Sequence, residues 1–364
     1  MSEPRLDEGA EGPGSADTGQ LGKMKADLDR AAAEGRSILN STVEEEQGTL
    51  QHDVLFGPDG LRPGWGLLLF AVLYFALLQG LFFAAELLRL VPLDGMSGRE
   101  QRPQRMLVIE ALMAMSTMGA TWLMARIEPR PMASYGFGGE RRARLFATGF
   151  LWGLGFLGLL VWALWGVGCL AFDGRLLFGV DVLRYGAIWL VGFVLVAVFE
   201  ESLMRGYLQS TLTRGVEHLY EMAFKAAPQK QAKVVGFWTA AVALSFLFGA
   251  GHGSNPGESP IGLLSAGLIG LVFCLTLWRT GSLWWALGFH AAWDWAQSFI
   301  FGVADSGAMA QFHLLGTHPV GNVLLSGGVT GPEGSVLILG VLALVAVVTV
   351  WTLPNQPPAE TSAK

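Results

Sequence analysis

One stretch of the sequence brings two acids and an arginine together at the end of an apolar run. Tyr185–Phe199 is apolar enough for a membrane helix, and Glu200, Glu201 and Arg205 follow it directly. Ionised groups at membrane depth cost roughly 2.5–3.5 kcal/mol each, so such residues usually serve a function. Glu201 and Arg205 are four residues apart with the acid first, which favours an ion pair on a helix. Glu200 lies about 100° around the helix, so its carboxylate is left for chemistry.

Two histidine motifs follow in later apolar segments. His252 ends a glycine-rich apolar run, and His290 shares a helix face with Asp294, four residues on. Each feature alone has a structural explanation: an interfacial acid–arginine cluster, a histidine facing the membrane surface, and a His–Asp pair between helices. Together they put two imidazoles and an unpaired carboxylate into apolar helices. Such groups must face the interior of the bundle, where we expect them to meet.

Two hydrolytic schemes fit these residues. His252, His290 and Glu200 form a ligand set suited to Zn²⁺, with an open position for water. Without a metal, Glu200 and one histidine would activate water, while the other histidine and a neighbour would stabilise an oxyanion. Both schemes hydrolyse an acyl bond, in the first place a peptide bond, and the residues do not decide between them.

Other catalytic signatures are absent from the sequence. There is no HExxH zinc motif and no GxSxG nucleophile elbow. Ser326 lies in a loop sequence and is a weak nucleophile candidate, and the glycines at 136–139 lack the context of a phosphate-binding loop. His313 and His318 fall in the same long connection as Ser326, so we expect them at the surface.

The composition is typical of a polytopic membrane protein. The 364 residues are 52% hydrophobic and 15% charged, and the mean hydropathy is +0.44. The sequence therefore predicts an all-α, polytopic integral membrane helical bundle. About eight transmembrane helices are expected, at about 65–91, 106–126, 145–171, 184–205, 234–252, 260–278, 282–302 and 334–353.

The charges divide the chain into a tail and a bundle. Residues 1–63 carry 13 acids and 6 bases, whereas the remainder carries 17 acids and 18 bases. We expect 1–63 to be an acidic, largely disordered cytoplasmic tail, in which Lys23–Leu39 could form a solvated helix. Residues 64–354 would form the transmembrane bundle, and 355–364 a short tail. The absence of a basic domain argues against a nucleic-acid partner.

The basic residues predict the orientation in the membrane. One side receives Arg126, Arg130, Arg141, Arg142, Arg144, Arg214, Lys225, Lys230, Lys233 and Arg279, and the other receives Arg99, Arg102, Arg105, Arg175 and Arg184. The first side is expected to be cytoplasmic. An even number of spans then places both termini in the cytoplasm, in a multi-pass protein of the plasma or inner membrane. Cys169 and Cys274 lie in apolar runs and are expected to be buried thiols.

Three motifs in order carry a resemblance to a known family. EExxxR at Glu200–Arg205, FxxxH at Phe248–His252 and HxxxD at His290–Asp294 resemble the CPBP family of intramembrane metalloproteases. This family includes the type II CAAX prenyl endopeptidases and bacteriocin-immunity relatives. The resemblance covers about 185–300, which would be the catalytic core. It implies a site inside the membrane in which Glu200 activates water, His252 assists or binds metal, and His290 with Asp294 completes the site.

The sequence also departs from this family. Asp294 stands where the best-known eukaryotic-type members have asparagine, and its added negative charge would favour a metal. The polar stretch Glu217–Lys233 is longer than expected and is a candidate amphipathic cytoplasmic segment. Bacterial relatives are often not CAAX enzymes, so the resemblance implies no prenylated substrate.

We therefore expect an intramembrane endopeptidase that cleaves a membrane-associated protein or peptide, with Glu201 and Arg205 bracing the site. The substrate would come from the membrane or its cytoplasmic face. The alternatives are a non-catalytic membrane scaffold and a proton- or ion-coupled transporter using the same buried groups. Glu200 and His252 meet at one depth only if the fourth helix continues past Gly206. The fifth helix would also have to tilt or start later than Val234.

Overall fold

A computed structural model describes residues 22–26, 28–34, 36, 55–57, 60–90 and 99–354. The chain divides into two units, Met1–Gly60 and Leu61–Lys364. In the first unit, residues 22–26, 28–34 and 36 are helical and exposed. The predicted disorder in the rest of the tail, and the predicted short tail at 355–364, concern residues outside the described ranges.

The second unit is built mainly from helices. Proline opens three of them, at the first position, where its missing N–H costs nothing. The helices are α1 (Pro63–Leu87), α2 (Pro103–Ile127), α3 (Arg142–Gly166), α4 (Val180–Glu201), α5 (Gln209–Ala223), α6 (Gln229–Gly251), α7 (Pro260–Thr280), α8 (Trp284–Trp295), α9 (Val323–Ser326) and α10 (Leu337–Thr352). A π-helical segment, Ser202–Leu208, joins α4 to α5, and another, Ala296–Ile300, extends α8.

Six helices of the described chain are long and apolar enough to cross a membrane, with Val180–Ala223 counted as one. The predicted all-α polytopic membrane bundle is therefore confirmed, while the count of eight is not. Each of the eight predicted segments contains a helix, but α8 has 12 residues and α10 has 16. A straight span needs about 20 residues, so these two helices fall short of it.

The described residues include three pairs of short strands, and two of these pairs fix the long connection between α8 and α10. They are β1 (Phe56–Gly57), β2 (Gly60–Leu61), β3 (Glu100–Gln101), β4 (Leu170–Arg175), β5 (Met309–Ala310) and β6 (Leu315–Pro319). β5 pairs in parallel with β3, just before α2, and β6 pairs antiparallel with β4, just after α3. The connection is thus tied at two places to the same end of the bundle.

Glycines bring α3 and α8 into backbone contact. A side chain on Gly149 would collide with the carbonyl oxygen of Trp285, and one on Gly288 would collide with the carbonyl oxygen of Phe146. Close approach of this kind is usual where small residues line a membrane-helix interface. Because His290 lies two residues after Gly288, α3 fixes the position of the helix that carries it.

The end of α2 is joined to the π-helical segment by a buried carboxylate. Glu128 accepts hydrogen bonds from the hydroxyls of Tyr135, at 3.1 Å, and Tyr207, at 2.7 Å, and from Arg214 at 3.0 Å. Burial, together with the Glu128 carboxylate, raises the pKa of Tyr135. These bonds hold Tyr207 in place two residues after Arg205.

Candidate active site

Glu200 lies near the middle of a continuous helix. One helical run of 44 residues, Val180–Ala223, contains α4, the π-helical segment and α5. The helix therefore continues past Gly206, which was the condition for Glu200 and His252 to lie at the same depth. Of the two conditions for the fifth helix, a start later than Val234 is not met, because α6 begins at Gln229. The first turn of α6 therefore lies within the polar stretch Glu217–Lys233, which was predicted to be an amphipathic cytoplasmic segment. His252 follows the last residue of α6 in a short 3₁₀ turn, His252–Ser254.

Glu201 and Arg205 form a buried ion pair behind the site. Glu201 Oε1 is 3.1 Å from Arg205 Nη1, and the two side chains are 0% and 1% exposed. The guanidinium carbon lies 4.3 Å from the centre of the Phe248 ring. A side chain on Gly270 would collide with Arg205 Nη2. The absence of a side chain at Gly270 of α7 therefore leaves room for this guanidinium.

His290 connects this ion pair to the two other acids. Its Nδ1 is 3.0 Å from Glu201 Oε1, and its Nε2 is 3.4 Å from Asp294 Oδ2 and 3.7 Å from Glu200 Oε2. A carboxylate paired with arginine only accepts hydrogen bonds, so His290 Nδ1 must donate to Glu201. The ring is thereby oriented with Nε2 toward Glu200 and Asp294.

His252 is oriented by its own helix. Its Nδ1 is 2.8 Å from the carbonyl oxygen of Phe248, four residues earlier. A carbonyl oxygen accepts and cannot donate, so Nδ1 carries the proton and, in the neutral ring, Nε2 is an acceptor. The FxxxH spacing accounts for this contact.

One cavity brings four of the predicted residues together. It has a volume of about 400 Å³ and is lined by Glu200, His252, His290 and Asp294, among others. A second cavity of about 190 Å³ adjoins it between the π-helical segment and α6, and Glu200 and His252 line both. Glu201 and Arg205 line neither, so of the six predicted site residues these two lie outside the cavities.

Four charged residues that line the larger cavity were not predicted from the sequence. They are Arg99, Glu110, Asp305 and Glu333. Glu110 is an acid inside the predicted span 106–126. The cost of placing a charge at membrane depth, which drew attention to Glu200, applies equally to Glu110. Asp305 and Glu333 are the two acids of the connection 302–334, but its contact with the site was not predictable.

Contacts with α8 and its π-helical extension place these two acids at the cavity. Ser298 donates to Asp305 Oδ2 at 3.1 Å, and Trp293 Nε1 donates to Glu333 Oε1 at 3.1 Å. Burial, reinforced by the nearby Asp294 and Glu333 carboxyls, raises the pKa of Asp305 well above its usual range. This side of the cavity is therefore rich in carboxyl groups, and Asp305 keeps its proton to higher pH than a free aspartate does.

The predicted zinc ligands do not converge in this arrangement. Among the described residues, no group of three or more His, Cys, Asp or Glu side chains is placed to hold a metal ion. His290 Nδ1 is bound to Glu201, and in the described structure His252 forms no hydrogen bond or ion pair with Glu200 or His290. The residues as placed do not fit a site made of Glu200, His252 and His290, so metal dependence stays a prediction.

The residues that the sequence set aside lie away from both cavities. Ser326 is buried and accepts a hydrogen bond from the Gly328 amide. His318 is exposed and is 2.9 Å from Asp173, and His313 bonds to the carbonyl oxygen of Ala310. Cys169 and Cys274 are buried free thiols, as predicted.

A comparison with protein-family models gives one match. Residues 182–296 match the family described as type II CAAX prenyl endopeptidase, Rce1-like. Comparisons with curated proteins and with solved structures found no match. The matched segment contains all six predicted site residues and excludes Glu110, Asp305 and Glu333. Residues 182–296, which carry the three motifs, therefore match the Rce1-like type II CAAX prenyl endopeptidase family, as the motifs predicted.

Proposed function

We propose that this integral membrane protein is an intramembrane endopeptidase that hydrolyses a peptide bond of a membrane-associated protein or peptide. The observation that carries the proposal is the convergence of Glu200 from α4, His252 from the end of α6, and His290 and Asp294 from α8 onto one cavity. Ionisable groups inside a membrane cost free energy, so they usually serve a function. The family match on the same segment supports peptide hydrolysis, while prenylation of the substrate is not implied.

Glu200 is the general base. Its side chain is 22% exposed, whereas that of Glu201 is 0% exposed and bound to Arg205. Glu200 therefore has the accessible carboxylate of the two, and it faces both cavities. It takes a proton from water while the water oxygen bonds to the peptide carbonyl carbon, and the same proton then passes to the leaving amine nitrogen.

The two histidines have different tasks in this scheme. His290 Nε2, directed into the site by the Nδ1 bond to Glu201, donates to the oxyanion that forms on the substrate carbonyl. Asp294, 3.4 Å from that nitrogen, positions it. His252 accepts a hydrogen bond from the attacking water at Nε2, because its Nδ1 is bound to the Phe248 carbonyl.

The test is digestion of a peptide library by the purified full-length protein in detergent or liposomes. Mass spectrometry would detect new peptide termini that do not form with the Glu200→Ala protein. We expect cleavage by the wild type. A folded wild-type protein that cleaves no peptide would contradict the proposal, and Glu200-dependent proton or ion flux in liposomes would then favour the transporter alternative.

Metal dependence can be tested directly. Because Glu200, His252 and His290 are not placed to hold one metal ion in the described structure, we expect no stoichiometric zinc in the purified protein. Elemental analysis of the wild type and of a His252→Ala/His290→Ala double variant would check this. About one zinc per wild-type chain that the double variant lacks would instead support the predicted ligand set.

We also propose that the substrate reaches the cavity from the membrane or the extracytoplasmic side, and not from the cytoplasmic face. The larger cavity is lined partly by residues outside the helices. These residues lie before the start of α2, after the end of α6 and in the 302–334 connection. These ends lie opposite the side that carries most of the basic residues. The smaller cavity, beside the exposed Leu247 on α6, offers a path from the lipid.

Cysteine labelling of intact cells tests this orientation. His318 and Lys225 are exposed at opposite ends of the bundle, and the native cysteines are buried. A membrane-impermeant maleimide is expected to label His318→Cys in intact cells, and Lys225→Cys only after permeabilisation. The reverse pattern would place the cavity loops in the cytoplasm.

A further inference from the structure

The larger cavity holds an excess of acidic side chains. Five carboxyl groups line it, from Glu110, Glu200, Asp294, Asp305 and Glu333. Arg99 is the one arginine of the lining, and it donates to the carbonyl oxygens of Gly307, at 2.8 Å, and Val329, at 2.6 Å. It forms no ion pair with these acids in the described part of the chain. The proposed reaction uses only two of the five.

Four of the five acids have a partner within the protein. Glu200 and Asp294 face His290, Asp305 accepts from Ser298, and Glu333 accepts from Trp293 and from the Ser306 hydroxyl at 3.1 Å.

Glu110 differs from the other four acids. It is enclosed on α2, with Glu200 and Asp294 as its charged neighbours, and it has no hydrogen-bond or ion-pair partner among the described residues. An enclosed carboxylate without a partner is costly, so this position needs a proton or an external cation.

The wall around Glu110 suits an aliphatic stem. Met106, one helical turn earlier on the same face of α2, lines the cavity, and so do Phe193 and Val196 of α4. Lysine and arginine bury their methylene groups against apolar surface while the charged end reaches a polar partner. An apolar wall beside an unpartnered carboxylate fits such a side chain.

We propose that Glu110 determines specificity, and that the cavity binds a lysine or arginine side chain of the substrate near the peptide bond that is cleaved. This inference rests on the proposed endopeptidase function and adds a substrate class to it. The basic group would pair with Glu110, and the neighbouring acids would add attraction over a longer distance. The acids other than Glu200 thereby acquire a role in substrate selection.

Variants of one cleaved peptide would test this inference. Starting from a peptide found in the library, each position near the cleaved bond is replaced in turn by lysine, arginine, norleucine, glutamine and glutamate. At one position, lysine or arginine is expected to raise kcat/KM about tenfold or more over norleucine, as a charged hydrogen bond allows. In Glu110→Gln, the ratio of lysine to norleucine is expected to fall toward one.

Two further variants serve as controls. Glu86→Gln changes an exposed helical glutamate of α1 outside the lining, and it should keep the wild-type ratio. Glu110→Lys should turn the preference toward glutamate, which covers the case in which the glutamine variant does not fold. Cleavage by the wild type with no basic preference at any position would overturn the inference alone. So would a basic preference that survives in Glu110→Gln, whereas absence of all cleavage would count against the proposed function.

Discussion

Replacing Glu200 with alanine or glutamine is expected to abolish detectable cleavage while the protein remains folded. Loss of a general base costs about 10²–10⁴-fold in rate, and glutamine keeps the shape of the side chain but accepts no proton from water. Glu200 makes no hydrogen bond in the described structure, and its nearest charged contact is His290 at 3.7 Å. Neither substitution therefore leaves a buried group without a partner.

The measurement is the rate of appearance of new peptide termini, with the thermal midpoint in detergent as the measure of folding. Glu140→Gln, at an exposed position outside both cavities, is the matched control and should behave as the wild type. A folded Glu200→Gln protein that cleaves at the wild-type rate would remove Glu200 from the role of base. Unfolding of both Glu200 variants would point to a structural role instead.

The sequence predicted the parts of this site that depend on local spacing. The Glu201–Arg205 pair and the approach of Asp294 to His290 both follow from four-residue separations on helices, and both are present. The apolar segments predicted the helices, because a chain in lipid must satisfy its backbone internally. Segment ends were less accurate, since α5 and the first turn of α6 are polar helix that hydropathy alone assigns to a loop.

Long-range contacts were beyond the sequence argument. The pairing of β5 with β3 involves two residues on each strand, too few for any periodic pattern. This pairing helps fix the connection that brings Asp305 and Glu333 to the cavity, so the acidic character of the site could not be derived. The contact between His290 and Glu201, 89 residues apart, likewise depends on how α4 and α8 are placed side by side.

Arg205→Ala is expected to destabilise the protein severely. Among the described residues, the substitution leaves the fully buried Glu201 carboxylate with His290 Nδ1 as its remaining polar contact. Breaking a buried ion pair from one side costs roughly 3–5 kcal/mol, because the other charge stays buried without compensation. Thermal unfolding in detergent would measure the loss, with exposed Arg142→Ala at the start of α3 as the control. An Arg205→Ala protein as stable as the wild type would exclude the proposed brace.

The double variant Glu201→Leu/Arg205→Met separates the two roles of the brace. Apolar residues of similar volume remove both charges together, so most of the stability lost in Arg205→Ala should return. Cleavage should stay well below the wild-type rate, because His290 Nδ1 loses the carboxylate that orients the ring. A stable double variant with wild-type cleavage would show that the ion pair holds the helices without positioning His290. Stability recovered with activity still lost would show that this one carboxylate both closes the core and orients the catalytic imidazole.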